Sequence, residues 1–159
     1  MKGVNAMNYP CELSDQPSQP VLSIRTRSAV ENLPQVLGQA YLTVLRYLAE
    51  IGEQPAGPPF AAYYNMDMQD LDLEIGFPVA KALTGRNEIQ PSEIPAGKQA
   101  TCLYQGPYRQ IEPAYQALMQ WIQEKGLLPT GAAYEFYLND PRETPESELL
   151  TKIAFPLKG

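Results

Sequence analysis

From Val21 to Ser28 polar and apolar positions alternate: Leu22, Ile24 and Thr26 fall on one face and Ser23, Arg25 and Arg27 on the other, the period of a half-buried antiparallel strand. The period then lengthens. Val36, Ala40, Val44 and Leu48, flanked by Leu37, Tyr41, Leu45 and Ile51, form the broad apolar stripe of a helix, with Asn32 as its expected N-cap, Pro34 in its first turn and Gly52 as its stop. Past a proline-rich loop, residues 59–65 and 71–83 read as strands joined through a polar turn at 66–70. The same order then recurs, with a strand over 99–104, a helix over 112–125 stopped by Gly126, and strands over 134–139 and 150–157. Residues 1–20, broken by Pro10, Pro17 and Pro20, are expected to form a tail or edge segment, and residues 84–98 a crossover with an extended stretch near 88–94.

The two β-α-β-β stretches are copies of one another. Ala40-Tyr41, Tyr47, Gly52, Pro55, Gly57, Phe60, Tyr63 and Asn65 return 74 positions later as Ala114-Tyr115, Trp121, Gly126, Pro129, Gly131, Tyr134, Tyr137 and Asn139. Ile75-Gly76-Phe77-Pro78-Val79 returns 78 positions later as Ile153-Ala154-Phe155-Pro156-Leu157, so the loop over 140–148 holds four extra residues. A repeat of this length predicts two similar units burying a shared core, an α+β domain over residues 1–159 made of a first repeat at 21–83 and a second at 99–159. Within the matched strands a carboxylate stands in one copy where the other has a methyl group: Ala61 of the first corresponds to Glu135 of the second.

Strand alternation sets Tyr134, Phe136 and Leu138 against Glu135, Tyr137 and Asn139. The more uniformly apolar first set is the expected packing face under the helix, which would leave Glu135 and Tyr137 on the face away from it. Two readings fit Glu135: a solvated outer-face residue, and an acidic anchor in an aromatic groove. Trp121 and Tyr115 fit helix core packing as well as ligand contact. Tyr108 follows Gly106-Pro107, a tight-turn signature that presents its ring just before the helix.

With 44% hydrophobic and 19% charged residues the composition is that of a globular protein, and no apolar run approaches the ~20 residues of a membrane helix. The first 20 residues lack an apolar h-region, so a cytoplasmic location is expected, with Cys11 and Cys102 as free thiols. A net charge of -6 argues against a nucleic-acid partner, whose phosphates need clustered Lys and Arg. The complete lack of histidine removes the commonest metal ligand and general base, so no metal or cofactor is expected. What the chain does carry is ten tyrosines and one tryptophan. Aromatic walls suit planar apolar ligands and attract cations, and a carboxylate buried among them should titrate above its ordinary range.

The run Tyr104-x-Gly106-Pro107-Tyr108, the helix with Ala114-Tyr115 and Trp121, Gly126, Gly131, the strand Tyr134-Glu135-Phe136-Tyr137-x-Asn139-Asp140-Pro141 and the closing Phe155-Pro156-Leu157 together resemble the GyrI-like small-molecule-binding family. Pro17-x-x-Pro20, Arg25-x-Arg27 and Asp72-x-Glu74-x-Gly76-x-Pro78-Val79 extend the likeness through the first half. The resemblance implies two antiparallel sheet/helix halves related by a pseudo-two-fold axis and enclosing a ligand channel. It also implies a strand carboxylate, matched here by Glu135 with Tyr137, that takes up lipophilic and often cationic compounds. Tyr104, Tyr108, Trp121, Tyr63 and Glu74 are the further candidate ligand contacts. Members of such families include effector domains of multidrug-responsive regulators, but residues 1–20 are too few for a helix-turn-helix. Three roles follow: sensing or sequestration of drug-like compounds; hydrolysis of cyclopropane-bearing DNA-alkylating compounds with Glu135 as catalytic residue; and inhibition of DNA gyrase by protein contact.

Overall fold

A computed structural model describes residues 9–159. They divide into two compact units, one formed by Pro17–Ala96 and the other by the chain up to Gln16 together with Gly97–Gly159.

In the Pro17–Ala96 unit, β2 (Gln19–Ser28) leads through a 3-10 turn into α1 (Leu33–Glu50), followed by β3 (Phe60–Tyr63), β4 (Leu71–Pro78) and β5 (Gln90–Ile94). The preceding strand, β1 (Cys11–Gln16), belongs to the other unit. All pairings are antiparallel: β3 on β4, β4 on β2, and β2 on β5. Helix α1 lies on β2 and β4 and buries Ala40, Val44, Tyr47 and Leu48, the i, i+4, i+7, i+8 positions of one helical stripe.

The other unit contains β6 (Gly97–Gln105), α2 (Glu112–Glu124), β7 (Ala133–Tyr137) and β8 (Leu150–Pro156), with β1 on its edge. Here β1 pairs with β6, β6 with β8, and β8 with β7, again antiparallel throughout. Ala114, Leu118 and Ile122 of α2 pack on Ala100, Cys102, Tyr104, Ala133, Ile153 and Phe155 of the sheet.

The same local contacts recur in both units. Phe60 pairs with Gly76, and its counterpart Tyr134 pairs with Ala154. Gly52 (φ 75°) and Gly126 (φ 71°) both take the left-handed conformation one residue beyond the helix cap. In each case the next two amides close back on the last helical turn: Gly52 N–H to Ala49 and Glu53 N–H to Leu48, Gly126 N–H to Gln123 and Leu127 N–H to Ile122. Asn65 accepts the Asp72 N–H at 3.0 Å and donates to the Asp70 carbonyl at 3.1 Å, while Asn139 accepts the Leu150 N–H at 3.0 Å and donates to the Glu148 carbonyl at 3.0 Å. An asparagine side chain carries both a donor and an acceptor, so it clamps the end of the β-hairpin where no strand backbone does.

Two local expectations are corrected. Asn32 makes no side-chain cap; it ends a 3-10 turn over Val30–Asn32 whose backbone already satisfies the Leu33 amide through the Val30 carbonyl. Strand β4 stops at Pro78 and does not run on to Leu83: the next residue, Val79, still donates to the Pro20 carbonyl at 2.9 Å, but Pro20 has no N–H with which to return the bond.

Gly76 marks a very close backbone approach: a Cβ there would lie 2.1 Å from the Leu22 carbonyl oxygen and 2.7 Å from the Ser23 Cα. Gly38, inside α1, has open space at the same position. Urea unfolding should therefore show Gly76→Ala destabilised by about 2–4 kcal/mol and Gly38→Ala stabilised by about 0.5–1 kcal/mol.

Candidate functional site

In an antiparallel pair, residues directly opposite one another project from the same face. Glu135 of β7 is opposite Ile153 of β8, and Ile153 is opposite Cys102 of β6, so the carboxylate completes a row whose other members lie in the core beneath α2. The next row is Tyr137, Thr151 and Tyr104. Glu135 and Tyr137 thus occupy the helix-facing side of the sheet, and the expectation that they point away from the helix is overturned. The physical reason is that the apolar count of a strand face does not decide which face a helix covers when the polar groups on the covered face are satisfied by hydrogen bonds.

They are satisfied by tyrosine. The Tyr137 hydroxyl donates to Glu135 Oε1 at 2.7 Å, and the Tyr115 hydroxyl, from α2, donates to Oε2 in a short hydrogen bond. The Tyr115 ring packs on Phe155 at 5.7 Å between centroids, and the Tyr137 ring meets Tyr108 edge-on at 5.4 Å. Glu135 forms no ion pair with any lysine or arginine among the described residues. Loss of hydration among these rings pushes its pKa above the ordinary 4.5, against the opposing pull of the two hydroxyl donors, which favour the ionised form.

The counterpart residues of the first repeat show what the carboxylate changes. Tyr41, equivalent to Tyr115, packs on Phe77 at 5.4 Å, as Tyr115 does on Phe155. With Ala61 in place of Glu135, the Tyr41 hydroxyl donates to the Phe60 backbone carbonyl at 2.8 Å. One helix tyrosine therefore has a main-chain partner and the other an ionisable one.

The structure brings Glu135, Tyr137 and Tyr108 together, and adds Tyr115. Tyr104 sits in the neighbouring row, buried, its hydroxyl on the Pro107 carbonyl at 2.7 Å, so it braces the turn that carries Tyr108. Burial raises the Tyr104 and Tyr108 hydroxyl pKa values, and the nearby Asp140 and Glu135 add to the rise at Tyr108. Trp121 packs on the edge of the α2 core with Lys125 5.6 Å from its ring centre. In the other unit Tyr63 and Glu74 lie on opposite faces of the sheet, since Tyr63 pairs with Leu73 and Glu74 with Ala62. Glu74 is buried and accepts hydrogen bonds from Ser23 at 2.5 Å and Tyr64 at 2.6 Å.

In the sequence Tyr115 fits helix core packing or ligand contact, and nothing local links it to Glu135. The signal was present, because two repeat partners, Tyr41/Tyr115 and Ala61/Glu135, meet in one structure. A cleft of about 670 Å³ opens elsewhere, beside α1, between Arg46, Tyr47 and Glu50 and the turn at Arg86–Ile89; Glu135 is not on its wall. Among the described residues no cluster of three Cys, Asp or Glu could hold a metal ion, and no helix is long and apolar enough to cross a membrane.

A family model for the GyrI-like small molecule binding domain matches residues 9–158. Among solved structures, EcmrR in a DNA complex matches with a TM-score of 0.86 and 24% identity over 99% of this chain, which spans 60% of that one. The C-terminal domain of EcmrR matches with a TM-score of 0.77 and 21% identity, over 94% of this chain and 98% of that one. SAV2435 bound to tetraphenylphosphonium matches at 0.64 and 11% identity over 94% of each chain, and a hydrolase from Listeria innocua at 0.69 and 15% identity over 93% of this chain and 91% of that one. No curated protein matches the sequence.

The raised Glu135 pKa gives stability a definite pH dependence. Above pH 4.5 the unfolded chain has released this proton while the folded chain still holds it, so stability declines as pH rises through the window up to the folded pKa and is level beyond it. Chemical denaturation across that window should show a contribution no steeper than about 1.4 kcal/mol per pH unit. Glu135→Gln, which keeps a hydrogen-bonding group but no titrating one, should remove this slope; an unchanged slope would place the titration on another residue.

Proposed function

The chain belongs to the GyrI-like small-molecule-binding family, and from that premise we propose that its ligands are lipophilic compounds, cationic or planar and aromatic, anchored by the Glu135 carboxylate and held for sensing or sequestration. The observation that carries this reading is a carboxylate ringed by Tyr115, Tyr137 and Tyr108, hydrogen-bonded but ion-paired with no cation among the described residues. Such a group is costly to ionise where it stands, and a bound organic cation lowers that cost by direct attraction. The tyrosine rings supply flat apolar area and faces of negative potential, worth roughly 0.5–2 kcal/mol for a cation according to its desolvation. A protein of the same fold holding tetraphenylphosphonium, a cation wrapped in aromatic rings, supports this ligand class. The sequence correspondence supports it too, since equal registers and matching asparagine clamps set Glu135 where the first copy has Ala61.

A second reading takes support from the Listeria hydrolase of the same fold. There Glu135, in its ionised form, would orient and deprotonate a water for attack on an electrophilic carbon such as that of a strained cyclopropane, while the rings hold the planar substrate. Both readings use the same carboxylate; they differ in whether the compound leaves unchanged.

Calorimetric titration with tetraphenylphosphonium and with a neutral aromatic of similar size separates them. Binding of the cation should strengthen as pH rises through the Glu135 pKa, and Glu135→Gln should weaken it by about 1.5–3 kcal/mol while leaving the neutral compound nearly unaffected. Equal losses for both compounds would remove charge from the account. Incubation with a cyclopropane-bearing alkylating compound, followed by mass detection of a water adduct formed faster than with Glu135→Ala, would instead establish the hydrolase.

A further inference from the structure

Away from the Glu135 cluster, the fold brings one more pair of reactive side chains together. Cys11 and Cys102 are far apart in sequence, yet β1 runs antiparallel beside β6 with Cys11 directly opposite Cys102. Opposite residues project from the same face, here the one covered by α2: Cys102 is part of the buried core and Cys11 packs against it, half-buried. Both are free thiols, and their sulfurs are close enough to share a hydrogen bond. Directly opposed residues of an antiparallel pair have Cα atoms about 4.5–5.5 Å apart, inside the range of about 4.4–6.8 Å that a disulfide spans without moving the backbone.

We propose that Cys11 and Cys102 form an oxidisable dithiol site that reacts with small disulfides of the glutathione type and closes into a cross-strand disulfide. The Cys11 thiol loses its proton and attacks one sulfur of glutathione disulfide, expelling one glutathione thiolate and leaving a mixed disulfide at Cys11. The Cys102 thiol then loses its proton and attacks the Cys11 sulfur, forming the Cys11–Cys102 bond and expelling the second glutathione. In sum two protein thiols give up two electrons and two protons, and one glutathione disulfide becomes two glutathione molecules.

The order of attack follows from exposure, since Cys11 is half-buried and Cys102 almost wholly enclosed. Burial holds both thiols protonated, pushing Cys102 up to about 12 and Cys11 above its ordinary value, so the reaction is slow at neutral pH and accelerates in alkali. Once made, the bond fastens an edge strand to its neighbour and closes a loop that contains all of Pro17–Ala96. Closing so long a loop restricts the unfolded chain far more than the folded one. The site makes no use of Glu135, so it stands or falls separately from the ligand reading.

The test is to equilibrate the full chain in glutathione redox buffers at mildly alkaline pH, quench with acid, block residual thiols and measure intact mass under non-reducing conditions. A monomer lighter by two hydrogens, with a melting temperature higher by on the order of 10 °C, is the expected result. Cys102→Ser, or Cys102→Ala if the serine variant folds poorly, should stop at a single glutathione adduct on Cys11, and Cys11→Ser should acquire almost none. The proposal is overturned if the unsubstituted chain also stops at the adduct, if it couples into disulfide-linked dimers, or if it remains fully reduced after the Cys102 variant has taken up its adduct.

Discussion

Putting a carboxylate on the helix-covered face of a sheet commits the surrounding structure to satisfying it. An ionised carboxylate without water or partners is too unstable to persist, and a neutral one still demands hydrogen bonds. The chain meets this demand at Glu135 with two phenol donors from different elements, Tyr115 on α2 and Tyr137 on β7. Phenols are suited to this because each brings a large apolar ring to the core and a single donor to the oxygen. The helix and the strand are thereby held around one oxygen pair, with the turn bearing Tyr108 packed on the Tyr137 ring, and burial works against ionisation of the group.

Much of the fold was legible because it rests on local rules. The helix stripes, the glycine stops at Gly52 and Gly126 and the strand alternation of β2 each express one backbone constraint at short range. The repeat added what local rules lack, namely which positions correspond. Asn65 and Asn139 show why a polar residue recurs so faithfully: each supplies a donor and an acceptor at the same point of its hairpin.

The face of β7 was not legible. Tyr134 and Phe136 look like a buried set, and they do stack, at 6.2 Å between centroids, with Lys152 5.6 Å from the Phe136 ring centre. Amphipathic pattern sorts side chains by polarity, whereas a helix covers whichever face its own residues complete. Tyr115 completes the face of Glu135, and that fact lies in a contact between residues 20 positions apart. The edge strand β1 was one of two alternatives for its segment, tail or edge; what stayed hidden was its partner, since its six residues pair with β6, far along the chain.

Buried Glu74 and half-buried Glu135 differ in the charges around them. Glu74 also receives two hydroxyl donors, from Ser23 and Tyr64, but the Tyr64 ring is covered by the Arg25 guanidinium at 4.2 Å, and Arg25 is itself paired with Asp72 at 2.7 Å. A fixed positive charge therefore lies within the Glu74 environment, and the attraction between Glu74 and Arg25 is part of the resting protein. Among the described residues Glu135 has the donors and no ion-paired cation. By the same electrostatic reasoning that makes an unmatched charge in a low-dielectric site unfavourable, the added interaction with a mobile cation is largest where the protein provides none. Glu74 thus has a protein cation beside it, and on the reading proposed above Glu135 is the position at which a cation arriving from solution gains most.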